Sequence, residues 1–124
     1  MGLGLSEQLC KKEDDLMRTI PATLMTETVA RLCVQANTRL PQDVAAALAR
    51  RQGEEPWPLA RDTLALLQDN LALASHRDLP VCQDTGMACV FVELGQDVHI
   101  EGDFEGAIHQ GVRQGYGEGY LRKS

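Results

Sequence analysis

The sequence predicts an α+β fold: N-terminal helices, then a β-hairpin, then a last helix. Two observations support this prediction. Apolar residues recur at spacings of three and four before position 75, and an almost unbroken apolar run then extends from Met87 to Leu94. At 124 residues the chain has the length of one ordinary domain. We expect a loosely ordered leader over 1–22 and one folded unit over 23–124.

Three helices are predicted in the first part of the chain. The first begins at Thr26, whose hydroxyl can cap the free N–H groups of the first turn. Pro41 suits the start of the second helix, because its missing N–H has no partner there, and Gly53 ends that helix. The third helix, over 59–75, has the most regular apolar pattern.

The run over 87–94 is short and apolar apart from one glutamate, which is typical of a buried strand. The sequence Gly-Gln-Asp at 95–97 predicts a turn into a second strand over 98–101. The sequence therefore predicts a hairpin.

A fourth helix follows with two parallel rows of residues on its surface. One row consists of large residues, namely Phe104, Ile108, Val112, Tyr116 and Tyr120. The other row consists of small residues, namely Ala107, Gly111, Gly115 and Gly119. An interior glycine costs a helix roughly 0.5–1 kcal/mol relative to alanine. The small row therefore predicts that another backbone, from this chain or from a partner, passes very close. A fraying helix with excess glycine is the alternative.

Charge and hydropathy exclude two classes of partner. The formal net charge is −6 and the sequence pI is about 4.9, so the chain lacks the basic surface that binds nucleic acid or anionic lipid. No stretch approaches the roughly 18–20 apolar residues that cross a bilayer. We expect a soluble, cytoplasmic protein with no nucleic-acid or membrane partner.

The four cysteines form neither a C-x-x-C pair nor a zinc-finger pattern, so a disulfide framework is not expected. Cys10 is interpreted as a surface thiol in the leader. Cys33 and Cys89 are interpreted as small buried hydrophobic residues, as free cysteines often are. Only Cys82 lies where a loop can expose it.

Cys82 belongs to the stretch PVCQDTG, residues 80–86, which sets a thiol, an amide, a carboxylate and a hydroxyl side by side. The DTG part also occurs in aspartic proteases, in which two carboxylates activate water. That family is nearly all strand, whereas three predicted helices precede this motif. A plain polar turn is a further alternative.

The segments PVCQDTGMACVFVELGQDVHIEG and AIHQGVRQGYGEGYLRKS resemble the catalytic subunit of class I fumarases and the related tartrate dehydratases. The resemblance covers roughly the last hundred residues. It implies a [4Fe-4S] cluster held by three thiolates, one of them from Cys82, with the fourth iron open to a dicarboxylate substrate. Fumarate is favoured over tartrate because YLRKS and GQDVHIEG look more like the fumarase branch.

The resemblance also implies roles for three neighbours. Gln83 would hydrogen-bond the substrate, and Asp84 would position it or transfer a proton. Arg122 would bind a substrate carboxylate, although an ordinary cation at a helix C-terminus is the alternative. Three histidines fall outside the matching positions and are expected at the surface or in supporting roles: His76, His99 and His109.

In the resembling family the subunit continues beyond the position of Ser124, and the other two cluster cysteines lie in that part. We therefore expect the chain alone to be inactive. It would need the remainder of the catalytic subunit or a β-type subunit, in a homo- or hetero-oligomer. A catalytically inert fragment is the alternative.

Overall fold

A computed structural model describes residues 17–123. Their order is strand, three helices, strand and helix, and we number the elements by type: β1 (Arg18–Pro21), α1 (Ala22–Thr38), α2 (Gln42–Glu54), α3 (Pro58–Arg77), β2 (Val98–Glu101) and α4 (Phe104–Glu118). The predicted α+β class is confirmed. Cys10 and most of the predicted leader lie outside the described residues, and the predicted unit boundaries stay a prediction.

The packing of α1 against α4 forms the centre of the fold. A Cβ atom placed on Gly111 would lie 2.7 Å from the carbonyl oxygen of Thr26, and one on Gly115 would lie 2.6 Å from that of Ala30. Such distances are too short for any side chain. The predicted close backbone is therefore that of α1, and the buried residues of the interface are small ones: Val29, Ala30, Ala107, Gly111 and Gly115.

Helix α1 begins at Ala22, so the predicted cap at Thr26 is wrong. Strand β1 runs directly into the helix, and Pro21 occupies the position before the first helical residue with extended backbone angles. The Thr26 hydroxyl instead lies 3.1 Å from the carbonyl oxygen of Ala107 and 3.3 Å from that of Ala22. Thr26 thus contributes to the contact between α1 and α4 rather than to the start of α1.

The predicted hairpin is also wrong. Strand β2 is present, but it pairs in parallel with β1, with Ile20 opposite Ile100. Within the described residues, 87–94 form no strand, and β1 was not predicted at all. The physical reason is that strand propensity is local, whereas the choice of partner depends on which backbone the tertiary fold brings alongside.

Helices α2 and α3 form an antiparallel arm that packs only lightly on α1. The side chains of Gln52 and Gln68 hydrogen-bond between the two helices. At the end of α3, Asp78 adopts a left-handed conformation (φ 50°), and its carboxylate lies 3.0 Å from the guanidinium of Arg39. The arm thus returns the chain to the C-terminal end of α1, where the irregular segment 79–97 begins.

None of the helices in residues 17–123 combines the length and the apolar character required to cross a membrane.

Candidate functional site

The PVCQDTG motif lies in the irregular segment after α3, and its first part is fixed to two helices. The Val81 amide donates a hydrogen bond to the carbonyl oxygen of Asn37 on α1, at 2.9 Å. The Val81 carbonyl accepts one from the side-chain amide of Asn70 on α3, also at 2.9 Å. Because both backbone groups of one residue are engaged, the motif begins from a fixed point.

The end of the motif is fixed separately, by α4 and the residues that follow it. Thr85 is buried, and its hydroxyl donates to the carbonyl oxygen of Arg122 at 3.0 Å. The Tyr116 hydroxyl lies 3.1 Å from the carbonyl oxygen of Thr85 and 3.3 Å from that of Gly86. The Thr85 hydroxyl thus bonds to a residue 37 positions away in the chain, and not within its own turn.

Between these two anchors, Cys82, Gln83 and Asp84 are exposed. The Cys82 thiol makes a weak contact with the backbone carbonyl of Asp84, at 3.5 Å. One oxygen of the Asp84 carboxylate accepts the Gly86 amide at 3.2 Å. The three polar side chains therefore reach solvent from a short loop whose ends are held.

Gly86 serves this loop through its conformation. Its φ is +62°, a left-handed value that side chains disfavour. A Cβ atom there would approach no closer than 4.0 Å, to the Asp84 carboxylate, so the backbone conformation and not a close neighbour favours glycine at this position.

Arg122 reaches the motif through a sharp turn after α4. Tyr120 has a φ of +54°, and the next residue, Leu121, is buried and donates its amide to the carbonyl oxygen of Tyr116 at 3.1 Å. The turn brings the backbone of Arg122 to Thr85, while the Arg122 side chain stays exposed. The four predicted site residues thus lie on two segments joined by one hydrogen bond.

The other cysteines differ from each other. Cys33 is half-buried on α1, and desolvation raises the pKa of its thiol. Cys89 is exposed, so its predicted burial is wrong, because residues 17–123 cover the segment around it only in part. Throughout that same range, no three His, Cys, Asp or Glu side chains converge as a metal site would require.

The three histidines are exposed, as expected: His76, His99 and His109. His109 has Glu105 at 3.7 Å on the solvent side of α4.

Sequence reasoning missed two residues that hold the loop, Asn70 and Tyr116. Tyr116 was assigned only to the large row of α4, although a half-buried tyrosine usually needs a partner for its hydroxyl. Desolvation raises the pKa of Tyr116, and negative charge on the nearby thiols Cys33 and Cys89 would raise it further. Asn70 carried no comparable signal, because an exposed asparagine on a helix needs no partner.

The aspartic-protease alternative fits the structure poorly. The hydroxyl of Thr85 is used to hold Arg122, and the motif follows three helices with no strand on either side of it in the segment 79–97.

The chain matches one family model and is similar to the alpha subunits of two tartrate dehydratases, one of them putative. The family model described as Fumarate hydratase (Fumerase) matches residues 26–124. A putative L(+)-tartrate dehydratase subunit alpha of Methanocaldococcus jannaschii is 31% identical over 75 residues, which is 60% of this chain and 26% of that protein. The L(+)-tartrate dehydratase subunit alpha of Escherichia coli strain K12 is 29% identical over 90 residues, or 73% of this chain and 30% of that protein.

The chain therefore spans less than a third of the length of these relatives. No solved structure matches it significantly. The family match includes most of α1, the anchored motif and α4, and it confirms the resemblance read from the sequence: the chain belongs to the fumarate hydratase (Fumerase) family.

Proposed function

We propose that this chain forms one wall of the active site of an iron–sulfur hydro-lyase, which adds water to or removes it from a dicarboxylate such as fumarate, malate or tartrate. One observation carries the proposal: the loop that presents Cys82, Gln83 and Asp84 to solvent is held at both ends. Fixed geometry of this kind is what a binding site requires. The family name and the names of the relatives support the reaction class.

Cys82 would be one ligand of a [4Fe-4S] cluster. Its thiol is exposed, and within residues 17–123 its one hydrogen-bond contact is weak, so the thiol is accessible to a soft metal that binds thiolates. When bound, a cluster with one open iron supplies a Lewis acid that lowers the barrier to adding or removing hydroxide. The described residues offer no converging set of further ligands, so other polypeptide would complete the cluster.

The neighbouring side chains would bind and orient the substrate. Arg122 offers a planar fork of donors for one carboxylate, and the Gln83 amide can donate to a second oxygen. One carboxylate oxygen of Asp84 accepts a hydrogen bond from the Gly86 amide. The other oxygen can hold a proton or accept a hydrogen bond from a substrate hydroxyl.

A complete site of this kind would require an assembly with further polypeptide. The remainder of a catalytic subunit or a β-type subunit would supply the missing ligands and the opposite wall of the pocket. We therefore expect that the 124-residue chain on its own neither hydrates fumarate nor dehydrates tartrate.

The test is to purify the complete assembly without oxygen and to measure iron, acid-labile sulfide and turnover of both dicarboxylates. We expect Cys82→Ser to lose at least one iron per cluster and most of the turnover. The matched control is Cys89→Ser, because Cys89 is also an exposed thiol but lies outside the motif. If Cys82→Ser keeps both its iron content and its turnover, the proposal is wrong.

The role of Arg122 has a separate readout. Replacing Arg122 with Gln removes a charged contact to a carboxylate, so we expect KM to rise roughly 10-fold or more while iron content stays unchanged. Lys123→Gln is the control, since it removes an adjacent exposed cation. Equal effects of the two variants would mean that Arg122 acts only through its general surface charge and does not bind the substrate carboxylate specifically.

A further inference from the structure

The segment from Met87 to Leu94, directly after the motif, exposes more apolar surface than a folded chain normally leaves in water. Phe91 is 95% exposed and Met87 is 88% exposed. The valines at 90 and 92 and Leu94 are each 42–50% exposed. In a strand, successive side chains point to opposite sides, so this run would present apolar groups on both faces. Singly exposed apolar residues are ordinary, but a continuous run marks an interaction surface.

The backbone of this segment is also unpaired. Within residues 17–123, no hydrogen bond joins a backbone N–H or C=O group of 87–94 to any other part of the chain. The neighbouring residues do have such bonds, at Gly86 and Gly95. Buried backbone groups need partners, and a row of free N–H and C=O groups is what a second strand recognises.

A groove lies between this segment and α1. Its volume is about 500 Å³, and its lining is mostly apolar, with Leu32 and Ala36 on one side and Val90 and Phe91 on the other. A small apolar ligand could fill such a groove, but it could not satisfy the backbone groups along the whole segment. A polypeptide strand can do both, since it pairs through its backbone and places alternate side chains into the groove.

We propose that residues 87–94 become a β-strand of a larger sheet in the complete assembly, and that the neighbouring strand is an apolar one from the remainder of a fumarate hydratase family subunit. Two observations favour this occupant over a second copy of the chain. The matched region is only 26% and 30% of the length of the two relatives, so most of a family subunit is available to cover it. The segment is also apolar on both faces, as in a strand inside a sheet covered on each side, whereas pairing at one edge would leave one face in water.

Strand pairing at 87–94 would also affect the candidate site. The segment begins directly after Gly86, so a strand that pairs with it would lie next to the loop that contains Cys82, Gln83 and Asp84. Pairing and completion of the candidate site would then be one event. The inference itself rests on packing and backbone chemistry, and it stands whether or not the site binds a cluster.

Hydrogen–deuterium exchange tests it without any substitution. The amides of 88–94 are compared in the 124-residue chain alone and in the complete assembly, at several protein concentrations. We expect exchange to be on the order of 100-fold slower in the assembly and fast in the chain alone. Amides of α4, which are bonded within the chain in both samples, serve as the internal control.

Each other result overturns the proposal. Fast exchange in both samples would mean that the segment has no strand partner. Slow exchange in the chain alone that disappears on dilution would identify a second copy as the partner. Slow exchange in the chain alone at every dilution would mean that the segment pairs within this chain.

A pair of substitutions at one position separates backbone pairing from apolar contact. Val90→Pro removes a backbone donor, and we expect the protection of 88–94 in the assembly to fall at least 10-fold. Val90→Ile keeps the donor and a β-branched side chain, and we expect protection to be unchanged. The same change in protection for both variants would contradict strand pairing.

Discussion

The interface of α1 with α4 and the segment 79–97 differ in how far their apolar residues are covered. In the interface, small residues let two backbones meet, and little surface is left exposed. In the segment, large apolar residues stand in water, while a few hydrogen bonds hold the polar motif at its ends. The difference shows that the interface is formed within this chain, whereas residues 17–123 leave the apolar side chains of 87–94 largely uncovered.

Of the substitutions considered, Gly115→Ala should have the largest effect, because it disrupts the interface of α1 with α4. Its Cβ would lie 2.6 Å from the carbonyl oxygen of Ala30, which belongs to helical backbone and has no room to move aside. We expect the free energy of unfolding to fall by about 2 kcal/mol or more in urea denaturation.

Gly117 provides the matched control for Gly115, since it lies in the same helix and a Cβ there would meet nothing within 4 Å. Gly117→Ala should raise the free energy of unfolding by about 0.5–1 kcal/mol, through helix propensity alone. If both variants are stabilised, α1 does not lie against α4 as described.

Thr85→Val tests the hydrogen bond between the motif and Arg122. The change keeps the shape of the buried side chain but leaves the Arg122 carbonyl without its donor. We expect a loss of about 1–2 kcal/mol in the free energy of unfolding. Thr63→Val removes a hydroxyl bonded only within α3, to Leu59, and should cost clearly less. Equal losses would show that the bond to Arg122 adds nothing to a local one.

Tyr116→Phe removes the hydroxyl that reaches the carbonyls of Thr85 and Gly86. At neutral pH we expect a loss of about 0.5–1.5 kcal/mol in the free energy of unfolding. Tyr120→Phe, at an 85% exposed position, is the control and should leave stability unchanged.

The Tyr116 substitution should also change how stability depends on pH. The folded chain raises the pKa of Tyr116 above its ordinary value of 10.0, so the folded state holds this proton more tightly than the unfolded state. The resulting stability is fully present below pH 10.0 and is lost as pH rises through the raised pKa. We expect stability to fall less steeply in this range for Tyr116→Phe than for the unmodified chain. If the free energy of unfolding depends on pH with the same slope in both proteins, the Tyr116 hydroxyl is solvated in the folded chain.

The smallest expected effect concerns the turn after α4. Tyr120→Gly should raise the free energy of unfolding by roughly 0.5 kcal/mol, because relief of the left-handed strain of a side chain slightly exceeds the extra chain entropy of glycine. Tyr120→Ala keeps a Cβ atom in the same conformation and should give no gain. A gain from alanine equal to that from glycine would mean that strain is not the cause.

The helices and the close contact with α4 could be predicted because each depends on residues within a few turns. The row containing Gly111 and Gly115 even indicated that a backbone lies opposite, although it could not say that this backbone is α1. The pairing of β1 with β2 was missed, since four residues such as Arg18–Pro21 carry too little pattern to specify a strand or its partner.

In the site, the motif itself was visible in the sequence, but its anchors were not. Asn70 and Tyr116 act on the loop from two different helices, and only the tertiary fold brings them there. The burial of Cys89 was predicted wrongly for a related reason: an apolar run indicates what a segment prefers, and its surroundings in this chain do not satisfy that preference.

The bond from Thr26 to Ala107 joins residues 81 positions apart, and the parallel strands connect similarly distant parts of the chain. Such long-range closure is slow relative to local helix pairing. During synthesis, the arm of α2 and α3 can form as soon as it emerges, while α1 waits for α4 to be made. The synthesis of α4 thus determines when α1 can become part of a folded unit.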